Sequence, residues 1–242
     1  MTVSKMGLEK ERRDEIAANL VAVRQRIATA CAAAGRDPSE ITLIAVTKTY
    51  PASDVLHLME LGLTDVGENR DQEAAPKAAE VAAAGGKVSW HFIGQLQRNK
   101  ARSVVTYADM VHSVDSMKLA STLDGHARAL RSTPLQVLIQ VSLDKDPQRG
   151  GVPPADLAEL ARSVESMPGL KLRGLMAIAP LGEPPKLAFA RLAQYSTLFQ
   201  AEHPNATIVS AGMSDDLDAA IAFGATHVRI GSALLGKRAA LR

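Results

Sequence analysis

The sequence predicts an α/β fold, a single (β/α)8 TIM-type barrel with one extra helix at its N-terminus. Three observations favour it: eight short apolar segments recur along the chain, helical stretches separate them, and 242 residues suit one such domain. Helical crossovers between successive strands are typical of parallel sheets. A doubly wound open sheet is the competing interpretation, but it would usually carry a glycine loop after its first strand.

The extra helix is predicted over residues 8–35, where Ile16, Leu20 and Ile27 recur at helical spacing and Gly35 provides a stop. The predicted strands are 41–48, 64–68, 88–94, 110–114, 135–143, 171–179, 206–211 and 227–230. The predicted helices between them are 52–61, 70–84, 95–106, 116–131, 154–167, 184–202 and 215–223, with a last short helix from Ser232. The chain is therefore expected to form one domain, 1–242, with the extra helix within 1–36 and the barrel within 41–236.

Lys48 is the most informative residue, because it ends the first apolar segment, 41–48, just before Pro51. A lysine with its stem among apolar neighbours loses hydration, which disfavours the ammonium and frees an amine to attack a carbonyl. Lys48 is thus a candidate for a Schiff base. The alternative is that its side chain only extends from a strand end to solvent.

The active site of such a barrel lies at the C-terminal ends of its strands, with phosphate often bound after strands seven and eight. Ser210 and Ser214 follow the seventh strand, and Gly231 and Ser232 follow the eighth. Hydroxyls and glycine N–H groups suit an anion, although Ser214 and Ser232 could equally cap helices. Both interpretations stay open.

Arg229 lies two residues before Gly231 and is expected to point into the same opening. A guanidinium facing the pyridine nitrogen of pyridoxal phosphate would keep that nitrogen unprotonated and weaken the ring as an electron sink. An ordinary salt bridge is the alternative for Arg229.

Composition excludes several classes of function. A net charge of +2 and only 3% aromatic residues argue against nucleic acid as a partner. The single cysteine, Cys31, precludes an internal disulfide and is expected to pack in a core. No apolar segment approaches membrane-spanning length, and the charged start of the chain does not resemble a signal peptide. We therefore expect a cytoplasmic protein with no membrane partner.

Several segments together resemble the pyridoxal phosphate homeostasis proteins of the YggS/PROSC type, which are similar to the N-terminal barrel of alanine racemase. The matching segments run through nearly the whole chain, and His91–Lys100 and Ser210–Asp216 are the most specific in combination. They are Ala45–Thr49 with Gly67–Arg70, His91–Lys100, Gly174–Met176, Ser210–Asp216 and Val228–Gly231.

The resemblance implies that Lys48 carries pyridoxal phosphate as a Schiff base. It further implies that Asn69 and Met176 lie beside the ring and that Arg229 is near the pyridine nitrogen. The phosphate group would rest on three residues, Ser210, Gly231 and Ser232.

The chain departs from the family pattern at four positions. Tyr50 replaces a frequent lysine, while Ser142, Asp146 and Arg149 stand where the family often has asparagine, glutamate and lysine. Arg149 keeps a positive charge but cannot form a Schiff base. This puts in doubt any hand-over of cofactor that relies on secondary lysines.

Three functions are compatible with the lysine: a non-catalytic carrier that binds, buffers and delivers the cofactor to recipient enzymes, an amino-acid racemase, and a Schiff-base aldolase. Racemisation needs a second proton-transfer group opposite Lys48. Tyr107 falls at the end of one predicted helix and Tyr195 within another, Tyr50 could at most crowd the cofactor, and the chain ends soon after the eighth strand. The aldolase leaves the phosphate loops unexplained. We favour the carrier, with no catalytic residue, no metal and a monomeric state.

Overall fold

A computed structural model describes residues 5–144 and 150–236 of the chain. Its eight strands are β1 (Thr42–Val46), β2 (Asp65–Glu68), β3 (Ser89–Phe92), β4 (Met110–Val114), β5 (Leu135–Gln140), β6 (Leu170–Met176), β7 (Ile208–Ser210) and β8 (His227–Ile230). All neighbouring pairs are parallel, and β8 pairs with β1 to close the barrel in sequence order. The predicted (β/α)8 barrel is thereby confirmed.

Nine α-helices surround the strands in the described ranges. They are α1 (Lys5–Ala33), α2 (Ala52–Glu60), α3 (Asp71–Ala83), α4 (Ala101–Tyr107), α5 (Met117–Leu130), α6 (Leu157–Glu165), α7 (Pro185–Glu202), α8 (Leu217–Ala222) and α9 (Ser232–Leu235). None of the helices in this part of the chain is both long and apolar enough to cross a bilayer.

Helix α1 is the predicted extra helix, and it packs against α2, α8 and α9 at one side of the barrel. Ile16, Leu20 and Ile27 are buried in this contact, as is Cys31. Gly35 has φ +65°, and the Arg36 N–H returns to the Cys31 carbonyl at 2.9 Å. A left-handed glycine with such a bond is the usual helix stop.

The predicted helix 95–106 was too long at its start. Residues after β3 first form a loop, in which Gln97 has extended backbone angles, and a 3-10 turn at Arg98–Lys100 precedes α4. The absence of a side chain at Gly94 allows the loop to pass Asn69, because a Cβ at position 94 would lie 2.3 Å from the Asn69 carbonyl oxygen. The chain after β3 therefore passes close to the end of β2 before a helix begins.

Strand side chains alternate between the helices outside and the barrel interior. Part of the interior is apolar, where Met110, Leu138, Met176 and Ile208 form a small buried cluster. Another part is polar and contains the side chains of His91, His112, Ser210, His227 and Arg229. This polar interior lies directly beneath the candidate site.

Candidate functional site

Lys48 lies in the turn that follows β1, at the C-terminal mouth of the barrel. The strand ends at Val46, and the Tyr50 N–H closes the turn by donating to the Thr47 carbonyl at 3.0 Å. Thr49 adopts φ +71°, which is uncommon for a threonine. A strained residue beside a candidate nucleophile is the kind of backbone feature that functional sites retain.

Two adjoining cavities open at Lys48, and Lys48, Ile93, Met213 and Arg229 border both. The first, of about 280 Å³, is called the glutamine cavity here. It is completed by Asn69, Gly94, Gln95, Gln140, Val141, Ser142, Leu143, Asp144, Gly150 and Ile178. The second, of about 240 Å³, is called the serine cavity. It is completed by Val46, Tyr50, Ser214, Asp215, Gly231 and Ser232.

A buried ion pair holds the turn that carries Lys48. The Lys77 ammonium lies 2.6 Å from Glu68 Oε1 and donates to the Thr47 carbonyl at 2.7 Å. Thr47 Oγ1 donates to the same Glu68 oxygen at 2.6 Å, and the Thr49 N–H donates to Glu73 at 3.0 Å. Burial raises the pKa of Glu68, and Lys77 opposes that rise. The backbone on both sides of Lys48 is thus fixed from α3.

Arg229 is buried below the cavities and is fixed by two side-chain bonds. It donates from Nη1 to Ser210 Oγ at 2.7 Å and from Nη2 to the Ala177 carbonyl at 3.1 Å. Burial lowers the pKa of Arg229 to about 10, so the guanidinium remains a cation at neutral pH. A charged donor is therefore held at the floor of both cavities.

Five of the seven residues predicted for the site border a cavity, namely Lys48, Asn69, Arg229, Gly231 and Ser232. The other two, Met176 and Ser210, are not among the residues that line either cavity. Met176 is fully buried in the interior cluster with Leu138, and Ser210 is fully buried beneath Arg229. Both side chains point inward from strand ends, one layer below the mouth.

The N-caps of the two helices beside the serine cavity are not Ser214 and Ser232. Asp216 is the N-cap of α8 and Gly231 that of α9, and neither makes a side-chain capping bond; the Asp216 carboxylate accepts from the Met213 N–H at 2.6 Å instead. Ser214 and Ser232 occupy no cap position; their hydroxyl oxygens lie 3.5 Å apart at the cavity wall. Ser214, rather than Ser210, therefore joins Ser232 and Gly231 there.

Helix α1 fixes α9 beneath this cavity. Arg12 donates to the Leu235 carbonyl at 3.0 Å and pairs with Asp54 at 2.7 Å, and Asn19 donates to the Leu234 carbonyl at 3.1 Å. Tyr50, the residue that departs from the family pattern, donates its hydroxyl proton to Gly236 at 2.8 Å. The extra helix and Tyr50 together satisfy the carbonyl groups at the end of α9.

The structure also gives the places of the other tyrosines and of some other positions that depart from the family pattern. Ser142 borders the glutamine cavity and donates to the Asp144 carbonyl at 2.7 Å, while Asp146 and Arg149 lie outside the described residues. Tyr107 and Tyr195 lie on α4 and α7, as expected, and border neither cavity.

Two contributors were missed by the sequence reasoning. Gln140 ends β5 and donates to the Gly150 carbonyl at 2.7 Å inside the glutamine cavity. Its signal was available: Gln140 is the polar last residue of β5, directly after the apolar run 137–139. Met213 borders both cavities from the loop after β7; it lies within the matching segment Ser210–Asp216 but was not singled out as a site residue.

The arrangement fits a small phosphorylated carbonyl compound. A lysine stands between a hydroxyl-lined cavity and a second cavity with amide side chains, and a cationic arginine lies below both. Hydroxyl and backbone N–H groups suit a phosphate, and the lysine amine suits a carbonyl. Among the described residues no group of three or more histidine, cysteine, aspartate or glutamate side chains could hold a metal ion.

Comparisons with known proteins identify the family of this chain. The profile of the family described as "Alanine racemase, N-terminal domain" matches residues 14–239. A pyridoxal phosphate homeostasis protein of Mycobacterium leprae is 43% identical over 246 residues, covering 96% of each chain. Its Escherichia coli K12 counterpart is 41% identical over 232 residues, covering 93% of this chain and 97% of the other.

Solved structures share the barrel. PipY of Synechococcus elongatus, solved with pyridoxal phosphate bound, superposes with a TM-score of 0.80 at 36% identity, covering 91% of this chain and 100% of PipY. An alanine racemase of Clostridium difficile superposes at 0.72 but is only 14% identical, and the match covers 58% of that longer chain. This second likeness concerns the fold alone.

Proposed function

The chain belongs to the pyridoxal phosphate homeostasis proteins, within the alanine racemase N-terminal domain family, and on this premise we propose that it binds pyridoxal phosphate through Lys48. One observation carries the proposal: Lys48 and the Ser214–Ser232 pair open onto the same cavity, above the buried Arg229. A lysine and an anion-binding wall that share one cavity match the two reactive ends of this cofactor.

Each residue has a distinct task in the proposal. Ser214, Gly231 and Ser232 hold the phosphate group, and Lys48 supplies the amine that bonds the cofactor's aldehyde carbon. Asn69 would lie at the side of the ring, and Arg229 would face its pyridine nitrogen. Bound pyridoxal phosphate would supply an electron-accepting ring, and a permanently charged arginine keeps that ring a weak electron sink.

The role we propose is storage and delivery without turnover. A racemase needs a proton donor across the cofactor from Lys48. Of the three tyrosines, Tyr107 and Tyr195 border neither cavity, and the Tyr50 hydroxyl is already committed to the Gly236 carbonyl. The residues that the structure describes therefore offer no tyrosine acid opposite Lys48.

The same proposal includes the protein's setting. Recipient enzymes that need pyridoxal phosphate are the expected partners, in the cytoplasm, and the carrier acts as a monomer. Size-exclusion chromatography with light scattering would test the monomer, since a dimer would elute at twice the expected mass. Release to a recipient would be by dissociation, because Arg149 cannot accept the aldehyde from Lys48 as a lysine could.

The test of cofactor attachment is reductive labelling. The purified protein, loaded with pyridoxal phosphate, should show a visible absorption band that borohydride removes, leaving the label on the peptide that carries Lys48. K48R should lose both signals, whereas K118R, on the exposed face of α5, should keep them. A label on another peptide, or none, would refute the proposal.

The racemase alternative has its own test. Loaded protein is incubated with L-alanine in deuterated water, and both the α-deuteration and the chirality of alanine are followed. Slow exchange with retention of configuration agrees with a single lysine on one face. Formation of D-alanine at about one turnover per second, the low end for enzymes, would establish a racemase instead.

A further inference from the structure

A chain of four hydrogen bonds crosses the barrel interior from Arg229 to Asp65. Arg229 contacts Ser210 at 2.7 Å, Ser210 contacts His112 Nδ1 at 2.9 Å, and His112 Nε2 contacts His91 Nδ1 at 2.9 Å. His91 Nε2 then contacts Asp65 Oδ1 at 3.0 Å. We propose that this chain, called the interior relay below, positions Arg229. Asp65, at the far end of the chain of hydrogen bonds, balances the positive charge of Arg229.

Burial shows that the interior relay is costly to keep. His112 and Ser210 are fully buried, and His91 and Arg229 are only 4% exposed. Barrel interiors are usually filled by branched apolar side chains, and a buried polar group without a partner costs free energy. A polar chain in this place is tolerated because each member is bonded to the next.

The two ends of the interior relay fix its direction when each imidazole carries a single proton. Arg229 can only donate, and an ionised Asp65 can only accept. Burial lowers the pKa of His112 well below its usual value, so this imidazole is neutral. With both imidazoles neutral, one arrangement satisfies all four bonds. In it Ser210 donates to His112 Nδ1, His112 Nε2–H donates to His91 Nδ1, and His91 Nε2–H donates to Asp65.

Other charged groups face the relay from neighbouring strands. His227 on β8 lies with its ring centroid 6.5 Å from that of His91, and burial lowers its pKa to about 4. The charge of Arg173 on β6 also lowers the pKa of His227, and the charge of Asp216 after β7 opposes the lowering of the Arg229 pKa. His227 bonds Thr226 at 2.9 Å and is not a member of the relay, which makes it a matched control.

The interior relay fixes the position of the Arg229 guanidinium at the candidate site. The relay holds the Ser210 oxygen as an acceptor for Arg229, because the Ser210 proton is directed to His112. Arg229 then keeps one height and orientation at the floor of both cavities. The effect of this fixed position of Arg229 on cofactor binding rests on the proposed function, whereas the direction of the hydrogen bonds in the relay does not.

The first experiment therefore uses the cofactor-free protein. Long-range ¹H–¹⁵N correlation spectra of the histidine rings distinguish the two neutral tautomers and the imidazolium. The proposed direction requires one proton on each ring, on Nε2 of both His91 and His112. A proton on Nδ1 of either ring would overturn the relay, whatever the protein does with pyridoxal phosphate.

The second experiment measures coupling between the ends of the relay. S210A and D65N should each weaken pyridoxal phosphate binding by about fivefold or more, the scale of one hydrogen bond to a charged group. The double variant should be little weaker than the worse single one, because both changes interrupt one chain. H227N, outside the chain, should change affinity less than about twofold.

Additive losses in the double variant, or equal losses in H227N, would show general destabilisation and overturn the positioning role. Thermal unfolding of each cofactor-free variant separates loss of fold from loss of binding. If wild-type protein shows the Nε2–H tautomers but takes up no cofactor, the relay stands and the proposed function fails.

Discussion

Lys77 donates a hydrogen bond to the backbone carbonyl of Thr47, the residue immediately before Lys48. The same ammonium pairs with Glu68, and only 8% of the Lys77 side chain is exposed. A lysine from α3 therefore fixes the peptide that carries the proposed cofactor lysine. The position of Lys48 depends on a neighbour that never reaches the cavities.

This contact gives a stability prediction. K77M should lower the free energy of unfolding by about 3–5 kcal/mol, because it leaves the Glu68 carboxylate buried without its cation. It should also reduce labelling at Lys48. Urea unfolding and peptide mapping measure the two effects. E68Q/K77M should recover most of the stability, and K118M on exposed α5 should change neither quantity. Unchanged stability in K77M would contradict the assignment.

The phosphate site is tested by removing hydroxyls. S214A/S232A should weaken pyridoxal phosphate binding by more than about tenfold, because it removes two charge-assisted hydrogen bonds. Fluorescence titration measures this affinity. S121A, on the exposed surface of α5, is the matched control and should bind as the wild type does. Full affinity in the double variant would show that the phosphate lies elsewhere.

Gly94 should tolerate no side chain. A Cβ there would lie 2.3 Å from the Asn69 carbonyl oxygen and 2.7 Å from the Asn69 Cβ, so G94A must displace Asn69 from the glutamine cavity. Loss of cofactor affinity and a lower melting temperature are expected. G125A, inside α5 with open space around it, should instead raise the free energy of unfolding by about 0.5–1 kcal/mol. A G94A variant with wild-type binding would be inconsistent with this geometry.

Acid should destabilise the fold through the interior histidines. Burial lowers the pKa of His227 from 6.5 to about 4, and the pKa of His112 shifts in the same direction. Below pH 6.5 the unfolded chain takes up a proton that the folded chain does not bind until about pH 4. The stabilisation that comes from a neutral His227 is therefore fully present above pH 6.5. It is lost as the pH falls from 6.5 to about 4, and His227 causes no further loss below that.

Between pH 7 and pH 5, His227 alone should account for about 2 kcal/mol of lost stability. Urea unfolding at the two pH values measures it. H227Q should remove that part of the dependence, while H126Q on α5 should retain it. A wild-type protein equally stable at both pH values would show that His227 is not held neutral.

Local sequence patterns were enough to predict the strands, the long first helix and most of the candidate site. Apolar segments of strand length give the barrel order, and parallel strands bring their C-terminal ends to one mouth, so Lys48, Arg229 and Gly231 could be grouped without coordinates. Helix starts were less predictable. The loop before α4 depends on Gly94 passing against Asn69, a contact between two strand ends.

The sequence by itself therefore determined the fold class, the candidate lysine and the strand ends that carry the candidate site. Only the tertiary structure decided which side chains face the cavities and which lie one layer below, because strand alternation fixes a face but not a depth. It moved Ser210 and Met176 beneath the mouth and brought Ser214 to it. It also joined Asp65, His91, His112 and Arg229, which have no local pattern in common, since barrel closure alone brings strands β2, β3, β4 and β8 around one interior.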